Sequence, residues 1–122
     1  MAIRFLLDTN AAIYLTGGSL ATNSLPDGEY GLSVITEIEL LSFSALTIDE
    51  EKAIRTLIDS IERLPLSDIV RDGTIVLRRR NGLKLPDAVI AATAIDWGAV
   101  LLTNDSRMTN IAGLKTQTLT LK

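Results

Sequence analysis

Residues 82–108 read GLKLPDAVIAATAIDWGAVLLTNDSRM, a segment that combines a predicted helix with a predicted strand. Pro86 suits the first turn of a helix, and residues 87–97 are apolar on nearly every side, so the sequence predicts a buried helix. Gly98 is expected to end this helix. Residues 99–102 are a short apolar run followed by polar residues, which is typical of a central strand covered on both faces.

The predicted helix and strand carry two carboxylates. Asp87 lies in the first turn of the helix, and Asp105 lies just beyond the carboxyl end of the strand. In an open parallel sheet, helix starts and strand carboxyl ends gather along one edge, where ligands usually bind. We therefore expect both acids to face that edge.

The length and composition suit one α/β domain that spans residues 1–122, with a substantial core. Hydrophobic residues make up 47% of the chain, yet no apolar run reaches membrane-spanning length. Asp8 follows the first residues too early for a signal peptide, so a cytoplasmic location is expected.

The chain contains no cysteine and no histidine. This excludes thiolate nucleophiles, disulfides, Ser-His relays, histidine bases and ordinary zinc sites, so any chemistry must use carboxylates. A net charge of -3 argues against a long basic nucleic-acid footprint and leaves room only for a local patch.

A second acidic junction lies near the start of the chain. Residues 3–7 are almost wholly apolar and run into Asp8, Thr9 and Asn10. Polar residues after a buried strand mark a strand-to-helix junction, so we predict a strand, then a helix that ends at Gly17.

A third junction is predicted at Ser33. Residues 30–32 suit a short strand, and Ser33 suits the cap of a helix that continues to Leu46. Glu37 and Glu39 lie inside this helix, and periodicity alone does not choose between them as site residues.

Two more helices are predicted before residue 82. Thr47 and Glu50 fit a capping box that opens a helix closed by Pro65. Ser67 suits the cap of the next helix, which ends at Gly82. The apolar positions of this second helix are Ile69, Val70, Ile75 or Val76, and Leu77.

The arginines at 78–80 have two interpretations that the sequence leaves open. They complement the dipole at the end of a helix, and together with Lys84 they would also attract phosphates. Residues 115–121 alternate weakly between polar and apolar side chains, which predicts a terminal edge strand.

Asp8, Asp87 and Asp105 thus occupy equivalent places, and a glutamate from the Ser33 helix would join them. Each alone is ordinary, because aspartate stabilises helix starts. Together they would place several negative charges in one crevice, and a bound cation would offset their mutual repulsion. Oxygen ligands without cysteine or histidine select Mg²⁺ or Mn²⁺, and such an ion suits phosphodiester hydrolysis.

Four ordered motifs resemble the PIN-domain ribonucleases, and within them the VapC-like toxins of prokaryotic toxin-antitoxin pairs. They are LLDTN at 6–10, SVITEIEL at 33–40, LPDAVIAATA at 85–94 and LLTND at 101–105. The resemblance covers nearly the whole chain in the family's order, and it is the four together that make the signal specific.

The resemblance implies a metal-dependent endoribonuclease that binds Mg²⁺ or Mn²⁺, cuts RNA, forms a homodimer and has a cognate antitoxin. The implied metal ligands, which would also be the catalytic residues, are Asp8, Glu39, Asp87 and Asp105. Glu39 is preferred to Glu37 because the motif acid directly precedes Leu40. The implied supporting polar residues are Thr9, Asn10, Ser33, Thr36, Thr103 and Asn104.

The fold expected is a three-layer α/β/α sandwich with a mostly parallel central sheet. The strands that end at Asp8 and Asp105 should be central, because the most apolar runs need cover on both faces. Two departures from the family pattern stand out. Met108 replaces the usual aromatic after the last aspartate, and the loop before Tyr30 is short, which puts the partner surface in question.

Two rival interpretations remain. A PIN-like scaffold could act only as a protein-binding module, although all four acids disfavour this. A receiver-type phospho-acceptor domain would need paired acids after the first strand and a late lysine. Instead, Asp8 is followed by Thr9 and Asn10, and residues 103–105 contain no lysine.

Overall fold

The structure is a computed structural model that describes residues 2–21 and 24–122. Within these residues the strands are β1 (Arg4–Leu7), β2 (Glu29–Ser33), β3 (Glu62–Leu64), β4 (Val100–Leu102) and β5 (Lys115–Gln117). The helices are α1 (Thr9–Thr16), α2 (Val34–Leu41), α3 (Ile48–Ser60), α4 (Asp68–Asn81) and α5 (Leu85–Trp97), with a 3₁₀ turn at Ser106–Met108. No helix of the described part is long and apolar enough to cross a bilayer.

The strands form one parallel sheet in the order β3-β2-β1-β4-β5. Leu6 of β1 pairs with Gly31 on one side and with Leu101 on the other. The strands that lead to Asp8 and Asp105 are therefore the central strand and its neighbour, as predicted. β5 lies at the edge, also as predicted.

Helices cover both faces of the sheet. Leu6 and Leu101 point into a cluster formed by α5 and α4, whereas Leu7 and Leu102 belong to a second cluster with α1. The side chains alternate because successive residues of a strand point to opposite faces. The three-layer α/β/α prediction is confirmed, and α5 is buried from Ala88 to Ala94 as its apolar sequence requires.

The predicted helix boundaries are mostly confirmed by their capping interactions. The side chains of Asp8, Ser33, Thr47 and Ser67 each accept a backbone N–H at the start of a helix. Gly82 and Gly98 end α4 and α5 with φ angles of 64° and 67°, in the left-handed region that glycine adopts most readily.

Two predicted helices are shorter than expected. α2 ends at Leu41 rather than Leu46, since the chain must reverse before Thr47 can cap α3. α3 ends at Ser60, and the next residues form β3, which was not predicted. β3 pairs with the outer edge of β2. If α3 continued instead, the backbone N–H and C=O groups along that edge of β2 would lack these partners.

Candidate functional site

The candidate site, which we name the acid cavity, has a volume of about 180 Å³ and lies at the carboxyl edge of the sheet. All four acids of the predicted site line it. The complete lining is Asp8, Thr9, Asn10, Glu39, Asp87, Ile90, Asp105, Arg107 and Met108.

The parallel sheet explains why these acids meet. Asp8 follows β1 and caps α1, while Asp105 follows β4 and caps the 3₁₀ turn. Asp87 lies in the first turn of α5, and Glu39 comes from α2, which begins where β2 ends. Strand ends and helix starts of a parallel sheet share one edge, so distant parts of the sequence converge there.

Asp8 is the most buried of the four acids, with 8% of its surface exposed. One carboxylate oxygen accepts a hydrogen bond from the N–H of Ala11 at 2.7 Å. Burial raises the pKa of Asp8, and the negative charges of Asp105 and Asp87 raise it further, while hydrogen bonds from Thr103 and Ala11 oppose the increase. The cavity therefore favours either a proton or another cation beside Asp8.

The two glutamates of α2 have different surroundings. The Oγ1 atom of Thr9 donates a hydrogen bond to Oε1 of Glu39 at 2.7 Å. The Oγ1 atom of Thr36 lies 3.3 Å from the Oγ1 atom of Thr9. Glu37 instead forms an ion pair with Arg63 at 3.2 Å and lines a separate cavity. Of the two, only Glu39 faces the other acids.

Arg107 is the site residue that sequence reasoning missed. Its Nη2 atom lies 2.6 Å from Oδ2 of Asp105 and 3.6 Å from Oδ2 of Asp87. Its hydrogen bonds and positive charge hold the pKa of Asp105 below its usual range, and the same contacts raise the pKa of Arg107. A positive charge of the chain itself thus bridges two of the four acids.

The predicted supporting residues divide into two groups. Thr9 and Asn10 line the cavity, Thr36 contacts Thr9, and Thr103 accepts the N–H of Asp105 at 3.0 Å. Ser33 and Asn104 neither line it nor hydrogen-bond to the acids in the described part of the chain, and their supporting role stays a prediction.

The two exceptions have structural contacts instead. The Ser33 hydroxyl caps α2 by accepting the N–H of Ile35. The Asn104 amide donates to the carbonyl of Leu119 at 3.0 Å and accepts its N–H at 2.7 Å. Asn104 therefore ties the chain near its C-terminus to the end of β4.

The donor set fits a hard divalent cation, because four carboxylates without cysteine or histidine offer only oxygen ligands. Asp8, Glu39, Asp87 and Asp105 would hold the ion. In the described residues, no three acidic side chains already form a compact metal cluster. The side chains would have to close in, and Arg107 would have to release Asp105.

The PIN domain family matches residues 5–114. A comparison with curated proteins finds no significant match. Among solved structures, a toxin-antitoxin complex from Klebsiella pneumoniae has 28% identity and a TM-score of 0.75, covering 89% of this chain and 93% of that one.

Two further structures are similar to this chain in fold. VapBC2 from Rickettsia felis, bound to a promoter DNA fragment, has 20% identity and a TM-score of 0.77. VapBC-1 from nontypeable Haemophilus influenzae has 24% identity and a TM-score of 0.76. Each comparison covers 95% of this chain and 98% of the other.

Proposed function

The chain belongs to the PIN domain family, and we propose from this premise that it is a metal-dependent endoribonuclease, the toxin of a type II toxin-antitoxin pair. The observation that carries the proposal is the meeting of Asp8, Glu39, Asp87 and Asp105 in one cavity. These acids come from four separate segments, and a purely structural role would not require them to meet.

The chemistry follows from the donor set. When bound, Mg²⁺ or Mn²⁺ supplies a Lewis acid that activates water and offsets the charge of the phosphoryl group. The ion would also offset the cost of burying the ionised carboxylate of Asp8. Thr9 keeps Glu39 turned into the cavity through the 2.7 Å hydrogen bond.

The same residues predict the products. Water attacks the phosphorus and the 3′ oxygen leaves, so the new ends carry a 5′-phosphate and a 3′-hydroxyl. The chain has no histidine to draw a proton from the 2′-hydroxyl, so no cyclic phosphate is expected.

We also propose a cognate antitoxin and a homodimer. The Klebsiella structure with 28% identity is a toxin-antitoxin complex, which supports an antitoxin for this chain. An apolar cavity of about 330 Å³ shares Thr9 and Glu39 with the acid cavity, and Ile13 and Phe43 are exposed in it. A partner segment bound there would reach the acids, where an arginine could pair with them.

The decisive experiment compares the purified protein with Asp8→Asn and Asp87→Asn on single-stranded RNA. We expect cleavage only with Mg²⁺ or Mn²⁺, with a 5′-phosphate on the products, and loss of cleavage in both variants. Asp96→Asn is the matched control, because Asp96 is exposed at the end of α5, away from the cavity.

Cleavage that survives complete chelation, or cyclic phosphate at the new ends, would overturn the proposed reaction. Tight antitoxin binding by a protein that cuts no RNA with any divalent cation would instead identify a non-catalytic binding module.

A further inference from the structure

A second cavity adjoins the acid cavity at Asp87 and Arg107, which line both. It has a volume of about 260 Å³, and we name it the flanking groove. Its lining is Asn81, Gly82, Leu83, Lys84, Asp87, Arg107 and Asn110. Because Asp87 and Arg107 line both, the two cavities lie side by side, and an extended strand could contact both.

The flanking groove carries mainly positive charge, whereas the acid cavity carries mainly negative charge. Lys84 and Arg107 bring positive charge, the amides of Asn81 and Asn110 bring hydrogen-bond donors, and Asp87 is the single acid. The ion pairs found within residues 2–21 and 24–122 leave Lys84 unpaired. Lys84 is exposed, so its ammonium group is accessible to an anion from solution.

The wall of the flanking groove is held in place by the arginine-rich end of α4. Gly82 ends α4 in the left-handed conformation, and the Nε atom of Arg78 donates to the carbonyl of Leu83 at 3.3 Å. Lys84 follows directly and precedes α5. At least one arginine of the triplet therefore fixes the loop that presents Lys84.

Arg107 can serve both cavities. Its side chain is 62% exposed and lines both of them. An RNA strand brings negative charge to a cavity that is itself acidic, in a chain of net charge -3. Positive groups at the rim of the acid cavity would offset this repulsion.

We propose that the flanking groove is a phosphate subsite, in which Lys84 and Arg107 bind the RNA phosphate next to the scissile one. The inference rests on the proposed endoribonuclease function. The RNA strand would then continue from the acid cavity along the loop between α4 and α5.

The test measures binding of a fluorescent single-stranded RNA in a chelating buffer, by anisotropy, over a range of salt concentrations. Each phosphate contact contributes about 0.7 to the slope of log affinity against log salt for single strands. We expect Lys84→Gln to weaken binding and to lower this slope by about 0.7, and Lys84→Arg to restore it.

Lys115→Gln is the matched control, because it removes the same charge from an exposed lysine at the opposite edge of the sheet. It should leave the slope unchanged. With metal present, Lys84→Gln should raise KM more than it lowers kcat, since a flanking contact binds substrate and transition state alike.

Metal-dependent cleavage by the wild-type protein, with equal slopes and equal KM for Lys84→Gln and Lys115→Gln, would overturn the subsite and leave the proposed function standing. A wild-type protein that neither binds nor cuts RNA would overturn both. A Lys84→Gln protein that loses affinity for an acidic antitoxin peptide but not for RNA would show that the flanking groove binds protein instead.

Discussion

The Nη2 atom of Arg107 lies 2.6 Å from the Oδ2 atom of Asp105, so one of the four acids is paired with a positive charge from only two positions along the chain. The same guanidinium reaches toward Asp87 at 3.6 Å. Arg107 would therefore compete with the proposed divalent cation for the same oxygen atoms.

This competition predicts the effect of Arg107→Gln on metal binding. Removal of the positive charge should increase the affinity for Mn²⁺ several-fold, measured by calorimetry without RNA. Arg55→Gln is the control, because Arg55 pairs with Glu51 on α3, away from the cavity. Equal or weaker Mn²⁺ binding by Arg107→Gln would show that the arginine does not occupy the place of the ion.

Glu39 lines the acid cavity and Glu37 pairs with Arg63, so the same substitution at the two positions should have different effects. Glu39→Gln should reduce cleavage by at least about 100-fold, the upper end of what losing a supporting residue costs. It should not lower the thermal midpoint in chelator, because it removes one of several repelling charges.

Glu37→Gln should keep most of the activity, since Glu37 pairs with Arg63 instead. An active Glu39→Gln protein beside an inactive Glu37→Gln protein would reverse the assignment and leave the three aspartates in place.

The burial of Asp8 predicts that Asp8→Asn stabilises the metal-free protein at neutral pH. Asparagine keeps the helix cap and removes the buried charge. The folded state raises the pKa of Asp8, so the ionised form destabilises the fold above that pKa and not below the ordinary value of 3.8.

The gain in thermal midpoint should therefore be largest near pH 7 and should vanish as the pH falls toward 3.8. Thermal unfolding in chelator across this range measures it. Asp96→Asn, on an exposed position, should show no such gain. A loss of stability at pH 7 would mean that the hydrogen bonds from Thr103 and Ala11 outweigh burial.

The capping box of α3 predicts a contribution to stability that depends on pH. The N–H of Thr47 donates to Glu50 at 2.9 Å, and the N–H of Glu50 donates to Thr47 at 3.1 Å. Thr47→Ala should lower the free energy of unfolding by about 1 kcal/mol. The backbone hydrogen bond holds the pKa of Glu50 below its ordinary value of 4.5.

A lowered pKa in the folded state means that ionised Glu50 stabilises the protein above pH 4.5, and that this is lost as the pH falls through the folded value. Glu50→Ala should therefore destabilise the protein more at pH 7 than at pH 4, measured by urea unfolding. Asp49→Asn, in the same helical turn but outside the box, is the control. An equal effect at both pH values would contradict the role of the carboxylate.

Three of the four acids could be located from general rules. Asp8, Asp87 and Asp105 follow from where polar residues interrupt apolar runs, because a parallel sheet brings such junctions to one edge. Glu39 could not be chosen in this way, since helix periodicity also allowed Glu37. The family motif selected Glu39, and its role as a ligand stays a prediction.

Two other features were not predicted from the sequence patterns. Arg107 reaches Asp105 only because the chain turns tightly at Ser106–Met108. β3 is a three-residue edge strand with two exposed charged residues, so it has no apolar alternation to detect.

The packing face of α4 was also only partly predictable. Val70 and Leu77 are buried as expected, but Ile69 is 68% exposed, and Thr74 is buried in its place. Gly73 explains the choice, because a Cβ atom there would lie 3.3 Å from the Cβ atom of Ala92 on α5. The small residues Gly73 and Ala92 thus determine which side of α4 packs against α5, and the apolar residues on that side become buried.

The spread of the four acids along the sequence has a consequence for a growing chain on the ribosome, where RNA is always near. Asp8 and Glu39 are made early, but Asp105 follows β4, and β4 completes the sheet only with β5 beside it. Domains tend to fold as units during synthesis, and pairings between distant segments must wait for the last of them. A partly synthesised chain therefore lacks the full set of acids, so the proposed cleavage of RNA could begin only once nearly the whole domain has been made.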